Sequence, residues 1–293
     1  MFCKKCGAKN DNDAQFCTTC GEAVNSAQPA YTATSTTAAV PATAEMCPCG
    51  SGRSLRDCHG TIDGYVQLGS KFYDGDGVQQ NYTEAARWYQ LAAAQENSEA
   101  QCMLGVMFFR GFGVQQNYVE AMKWYQLAAA NGHAWAQNNL GSMFNNGNGV
   151  QQDYAEAMKW YQLAAAQGNS DAQCHLGFMF HNGNGAQRNY TEAIKWFQLA
   201  ATQGETEAQF MLGGMFEKGI GVQQNYTEAI KWYQLAANQG HAFGQYNLGC
   251  LYFYGRGVER DYAEAVKWLR KAAEQGDERA QESLDELLGR KLT

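Results

Sequence analysis

Residues 101–136 read QCMLGVMFFRGFGVQQNYVEAMKWYQLAAANGHAWA, and this stretch decides the fold because the chain repeats it. Gln101 recurs every 36 residues as Gln137, Gln173, Gln209, Gln245 and Gln281. A second series keeps the same interval: Trp88, Trp124, Trp160, Trp196, Trp232 and Trp268. Six copies between residues 61 and 280 make most of the 293-residue chain an array whose units bury apolar surface against their neighbours.

Each copy reads as two helices, so the expected class is all-α. Helix A carries a Leu104-Gly105 pair and an aromatic at Phe108, and stops at a loop of the Gly111-Phe112-Gly113 type. Helix B opens with Asn or Asp at 81, 117, 153, 189, 225 and 261, and Glu follows three residues later, which is the spacing of a capping box. A glycine suited to the left-handed turn closes helix B at 132, 168, 204, 240 and 276. In the first copy that position is Glu96, so its turn is expected to be strained or differently shaped. From Gln281 onward the pattern gives way to charged residues, which suit the polar cap of an exposed array end.

The quoted pattern resembles the Sel-one-like repeat family, a 36-residue relative of the tetratricopeptide repeat. The resemblance implies a right-handed α/α superhelical solenoid of antiparallel helix pairs. It also implies a non-enzymatic adaptor that holds protein complexes together. Some secreted relatives have been assigned weak β-lactamase-type activity, but this chain has no Ser-x-x-Lys to supply a serine nucleophile. Those relatives also pair cysteines within each repeat. Here Cys102 and Cys174 stand two repeats apart and are expected to be free thiols packed as small apolar groups.

Seven of the ten cysteines precede residue 60. Cys3, Cys6, Cys17 and Cys20 form two C-x2-C knuckles, each able to aim two thiolates at one tetrahedral zinc. The segment is similar to the zinc ribbons that open many bacterial proteins. A second cluster, Cys47-Pro-Cys49 followed by Cys58-His59, offers three thiolates and one imidazole. It resembles the SEC-C motif, the zinc-binding tail of the preprotein translocase ATPase SecA, whose partners there are proteins. Both sets are closed with four protein ligands, so two structural zinc ions are expected. Stretches this short need metal to fold.

The expected organisation is a zinc ribbon at 1–22, a flexible Ala/Thr/Ser linker at 23–45 and a SEC-C module at 46–60. Six repeats at 61–280 and a capping helix at 281–293 complete it. The start, MFCKKCGAKN, has no apolar core of a signal peptide and no apolar run is long enough to span a bilayer, which favours a cytoplasmic bacterial protein. The net charge of -7 disfavours binding nucleic acid through phosphates. The locally positive rim of Lys4, Lys5, Lys9, Arg53 and Arg56 nonetheless keeps a ribosome- or nucleic-acid-associated role as the alternative reading. No Gly-rich phosphate cradle and no calcium loop survive comparison among the copies, and no small-molecule substrate is expected.

Variation among the copies marks where the array could bind. On a wheel of about 100° per residue, the fixed Gln, Leu, Gly and aromatic of helix A fall within about 50° of one line, and the variable positions occupy the opposite arc. That arc yields the candidate partner-binding residues Met103, Asn139, Asn146, His175, His181, Asn182, Met211 and Asn247, suited to a protein or peptide. Neutral drift after duplication is the alternative reading of the same arc. His175 and His181 are six apart, which is poor spacing for a shared metal on one helix face.

Overall fold

The computed structural model describes residues 46–289; the proposed ribbon ligands Cys3, Cys6, Cys17 and Cys20 lie outside the described residues. Among those described there are fourteen helices and one isolated β-bridge, between Met46 and Ser54. They divide between Asp153 and Tyr154 into two compact units. The first holds α1 (Leu55–His59), α2 (Ile62–Asp74), α3 (Tyr82–Ala93), α4 (Ser98–Arg110), α5 (Tyr118–Ala130) and α6 (Ala134–Asn146). The second holds α7 (Tyr154–Ala166), α8 (Ser170–Asn182), α9 (Tyr190–Thr202), α10 (Thr206–Lys218), α11 (Tyr226–Asn238), α12 (Ala242–Tyr254), α13 (Tyr262–Glu274) and α14 (Glu278–Leu287). Helices α2 to α12 with even numbers are the A helices, and α3 to α13 with odd numbers are the B helices. Within each unit, consecutive A and B helices pack against each other.

Within each unit, the recurring Leu-Gly pair builds the core between an A helix and the B helix that follows it. Leu68, Leu104, Leu140, Leu176, Leu212 and Leu248 are all fully buried. The glycine that follows lets a helix B side chain, an aromatic ring at Gly69, Gly105, Gly177 and Gly213 and Leu269 at Gly249, lie directly on the backbone of helix A. A Cβ on Gly105 would stand 2.5 Å from the Tyr125 ring, and the same holds for Gly177 against Phe197 and Gly213 against Tyr233. Any side chain there would expel a ring whose burial contributes about 1.5–3 kcal/mol. The second glycine of the loop meets a comparable demand: at Gly113 a Cβ would fall 2.3 Å from the carbonyl carbon of Tyr82.

Helix B is capped differently from the capping box its spacing predicts. Asn81, Asn117, Asn189, Asn225 and Asp261 accept from backbone N–H groups of the first turn, as expected of N-caps. The cap's own N–H, however, donates to the aromatic carbonyl of helix A, as Asn117 does to Phe108 at 2.9 Å. The Glu three residues on is therefore released from the box and turns to the next Lys, as Glu120 does to Lys123 at 3.0 Å and Glu156 to Lys159 at 2.7 Å. The helix pair itself supplies the acceptor that the box would have provided.

Glu96 settles which form its turn takes. Its φ is 61°, left-handed like the glycines at the same position. Its N–H donates to Ala93 O and that of Asn97 to Ala92 O, matching the bonds from Gly132 and His133 one repeat later. The turn keeps its shape and accepts the strain.

Candidate functional site

The Cys/His cluster is assembled by a tight turn and one short helix. The bridge between Met46 and Ser54 closes a hairpin-like loop, in which Cys47 N–H donates to Arg53 O at 2.8 Å and Gly50 N–H to Cys47 O at 3.3 Å. The chain then enters α1, which carries Cys58 and His59 back to the loop. Cys47 Sγ lies 3.1 Å from His59 Nδ1 and Cys49 Sγ 3.5 Å from Cys58 Sγ. All four donor atoms lie within 4.8 Å of one another.

These separations fit zinc. With Zn–S about 2.3 Å and Zn–N about 2.0 Å, a tetrahedron has S···S edges of about 3.8 Å and S···N edges of about 3.5 Å. Three soft thiolates and one imidazole form a closed set that leaves no position for water, so the chemistry a bound ion supplies here is structural. Cys47 is 4% and His59 7% exposed, which shields the site from solvent. Burial pushes the Cys47 thiol up to about 12. Burial also raises Cys49, yet hydrogen bonds with Ser51, Cys47 and Cys58 outweigh it and bring that thiol to about 6. Ser51 Oγ also stands 3.2 Å from Cys58 Sγ, a polar neighbour of the kind that orients metal ligands. Burial, then the charges of Lys71 and Arg53, hold His59 below the usual imidazole value, in the neutral form a metal requires.

The candidate partner-binding residues are spread over the A helices with differing exposure. Asn146 and Asn182 are exposed, whereas Met103, Asn139, His175, His181, Met211 and Asn247 are half-buried. Met103 and Met211 pack onto the cores of their own units. His175 stacks on Tyr161 with ring centres 4.7 Å apart, and His181 meets Tyr190 edge-on at 5.3 Å. The arc is not uniformly outward, as the wheel implies: its first position holds Cys102, Asn138 and Cys174, all buried. A helix A such as α4 touches helices before and after it, α3, α5 and α6, so two of its sides are covered rather than one. Cys102 and Cys174 are free thiols.

Two aromatic residues escape the wheel argument. Trp135 is 57% and Phe243 52% exposed, both at the second residue of an A helix. The same position in the other four copies holds Asp63, Glu99, Asp171 or Glu207, and that contrast is the signal in the sequence. Each follows a histidine N-cap that reaches back one repeat, His133 to Glu99 at 2.9 Å and His241 to Glu207 at 3.2 Å.

No helix among the described residues is long and apolar enough to cross a membrane. The Sel1 repeat model matches residues 62–97, 98–133, 136–169, 170–205, 206–241 and 242–277. A zinc-ribbon domain model matches 2–24 and the SEC-C motif 45–61. No curated protein matches the chain. Among solved structures, a protective antigen of uropathogenic Escherichia coli strains displaying an SLR fold is 36% identical with a TM-score of 0.70, covering 80% of this chain. This chain spans 50% of that protein's length. A Sel1 repeat protein from Oxalobacter formigenes is 32% identical with a TM-score of 0.67, covering 74% of this chain and 86% of its own. With six matched copies and two such structural relatives, the chain belongs to the Sel1 repeat family.

Proposed function

We propose that this protein is a non-enzymatic adaptor whose Sel1 repeats bind a protein or peptide partner. Sel1-repeat solenoids commonly serve as protein-interaction scaffolds, which gives the reading its setting. The observation that carries it is the contrast within one repeated frame: the Leu, Gly and ring positions are buried copy after copy. Other A-helix positions vary among the copies, as where Arg110, Asn146, Asn182, Lys218 and Tyr254 share one register, and they include exposed Asn146, Asn182, Trp135 and Phe243. A constant frame with variable outward groups is how repeat proteins recognise extended partners. Met103, Asn139, His175, His181, Met211 and Asn247 complete the candidate set.

We read the chain as a ribbon at 1–22, a linker at 23–45, a SEC-C module at 46–60, the array at 61–280 and a cap at 281–293. One structural zinc would be held by Cys3, Cys6, Cys17 and Cys20, and another by Cys47, Cys49, Cys58 and His59. The two zinc modules supply a second docking surface. Linking it to the array raises the effective concentration of one partner near the other. Free, buried Cys102 and Cys174 suit a reducing, cytoplasmic setting.

The test is in-cell cross-linking of the full chain followed by identification of captured proteins. An Asn146→Arg and Asn182→Arg double variant should lose the partners of the wild type. A helix B control, Lys195→Glu with Lys231→Glu, should keep them. Identical capture by all three proteins would reject the A-helix surface as the binding site.

A further inference from the structure

We propose that the Cys47–His59 knuckle is the N-terminal cap of the repeat array, and that the metal it holds keeps the first repeat ordered. A repeat array has an end problem. Each inner A helix is covered by the B helix before it, but α2 has none, and an uncovered end face needs a polar-faced cap. Leu68 is nevertheless fully buried and Trp88 only 3% exposed. What covers them is the knuckle: Cys47 and Leu55 share one apolar cluster with Leu68 and Trp88, bordered by Cys49, Cys58, Tyr65, Phe72 and Leu91.

The first repeat departs from most of its siblings at one position and from all of them at the next, and both meet this arrangement. Where four other copies hold Ala100, Ala136, Ala172 and Ala208, the first holds Gly64. A Cβ on Gly64 would stand 2.6 Å from the backbone of His59, itself a member of the donor set. Where five copies hold the recurring Gln, the first holds Tyr65. Those glutamines donate to a carbonyl of the preceding B helix, as Gln101 does to Ala93 and Gln137 to Ala129. The first repeat has no such carbonyl to meet, and Tyr65 instead tilts onto Trp88 with ring centres 5.8 Å apart. The two substitutions refit the repeat from receiving a helix to receiving the knuckle.

The knuckle itself contains one bridge and a helix of five residues, too little to fold by burying apolar surface. Its order therefore depends on the ion that joins its four donors. Loss of the ion releases the cover over Leu68 and Trp88. Met46, Pro48, Ser51 and Arg53 of the knuckle stay exposed and available for docking, so capping and docking do not compete.

Hydrogen exchange followed by mass spectrometry on the full chain tests this, with zinc content measured in parallel. Stripping zinc with a chelator should cost α2 and α3 their protection while α8 to α13 keep theirs, and adding zinc back should restore it. Cys49→Ser, which breaks only this donor set, should reproduce the loss, whereas Cys17→Ser should not. Unchanged protection of α2 and α3 in protein shown to be zinc-free would overturn the proposal, as would loss spread evenly over all repeats. Should Cys49→Ser fail to fold, the chelation arm decides alone. Gly64→Ala gives an independent sign: helix propensity alone would strengthen α2. Contact with His59 predicts faster exchange of α2 and easier loss of zinc to a competing chelator. Gly244→Ala, at the same register in the sixth copy, should show neither effect. A strengthened α2 with zinc held as in the wild type would overturn the cap contact.

Discussion

Gln239 Nε2 donates to Gln209 Oε1 at 2.9 Å, joining the end of one B helix to the first turn of the A helix that precedes it. Gln209 in turn donates to Ala201 O at 3.1 Å, at the end of the B helix one repeat earlier. One buried side chain thus ties two successive B helices through the A helix between them. The arrangement returns in Gln203 to Gln173 to Ala165 and in Gln275 to Gln245 to Ala237. Ala201 O also accepts from Gly204 N–H at 3.1 Å, so what the glutamine adds is a pair of bonds at once, a second donor to that carbonyl and an acceptor for Gln239, each worth about 0.5–1.5 kcal/mol.

Gln209→Met, which keeps length and removes both polar functions, should therefore cost about 1–3 kcal/mol. Gln281→Met lies on exposed α14 and should stay within about 0.5 kcal/mol of the wild type. Urea denaturation of the two variants, with exchange protection of α9 to α11 as the local readout, checks this. Equal stability of the two variants would show that the bond is incidental.

Glu96 offers a stabilising change. A non-glycine residue in the left-handed region costs about 1–2 kcal/mol. Glu96→Gly relieves it but gives the unfolded chain more freedom, which takes back about 0.5–1 kcal/mol. The net expectation is a gain of about 0.5–1 kcal/mol, read as a raised denaturation midpoint. Gly168→Ala should do the reverse. Open space surrounds Gly168, so its φ of 87° alone sets the cost.

Much of this was legible because the copies act as an alignment within one chain. The fixed Leu-Gly pair gives the A–B core directly, and the Gly-x-Gly loop gives the sharp corner after helix A. The spacing of Asn and Glu predicts the start of helix B but overreads it as a box, since only the folded pair reveals that the Phe108 carbonyl takes the Asn117 N–H. The helical wheel fails at Cys102 and Asn138 for a related reason: it assumes one packed side, and an inner A helix has two. The Cys/His spacing foretells a donor set, and the four atoms do converge. Its seat on the first repeat was written at Gly64 and Tyr65, but those departures carry meaning only once His59 and Trp88 are seen beside them.

His175 should make stability depend on pH. Burial lowers its imidazole below the usual 6.5, against a smaller opposing effect of Asp171, because a charged ring packed beside Tyr161 loses part of its solvation. Below 6.5 the unfolded chain therefore binds a proton more readily than the folded one. The stability tied to the neutral ring is fully present above 6.5 and is lost as pH falls through the lower folded value. His175→Met, the residue of the second and fifth copies, should flatten the stability profile below pH 6.5 relative to the wild type. Comparing denaturation midpoints of zinc-loaded proteins between pH 5 and 8 checks this. Parallel profiles would mean that His175 titrates alike in both states.

At the other end of the array, Asp277 decides whether α14 stays docked. Its carboxylate accepts from the N–H groups of Arg279 at 3.1 Å and Ala280 at 3.2 Å, and Oδ2 lies 2.8 Å from Arg279 Nη2. The guanidinium then rests over the Tyr246 ring at 4.6 Å and the Phe243 ring at 5.1 Å. Bonding to Arg279, ahead of the backbone bonds, holds the Asp277 carboxyl below its usual 3.8. The unfolded carboxyl thus protonates first, so the contribution is present above 3.8 and disappears as pH falls through the lower folded value. Asp277→Ala removes a helix N-cap worth about 0.5–2 kcal/mol and frees Arg279 from its position over the rings. Leu284, whose burial rests on α14 staying against α13, should then become accessible. The expected result is faster exchange confined to α14 and the end of α13 at pH 7, with α8 to α11 unchanged. Asp277→Asn, which keeps one cap acceptor and loses the charge, should fall between the two proteins. If Asp277→Ala exchanges like the wild type, α14 is held by Leu284 and Ala280 alone.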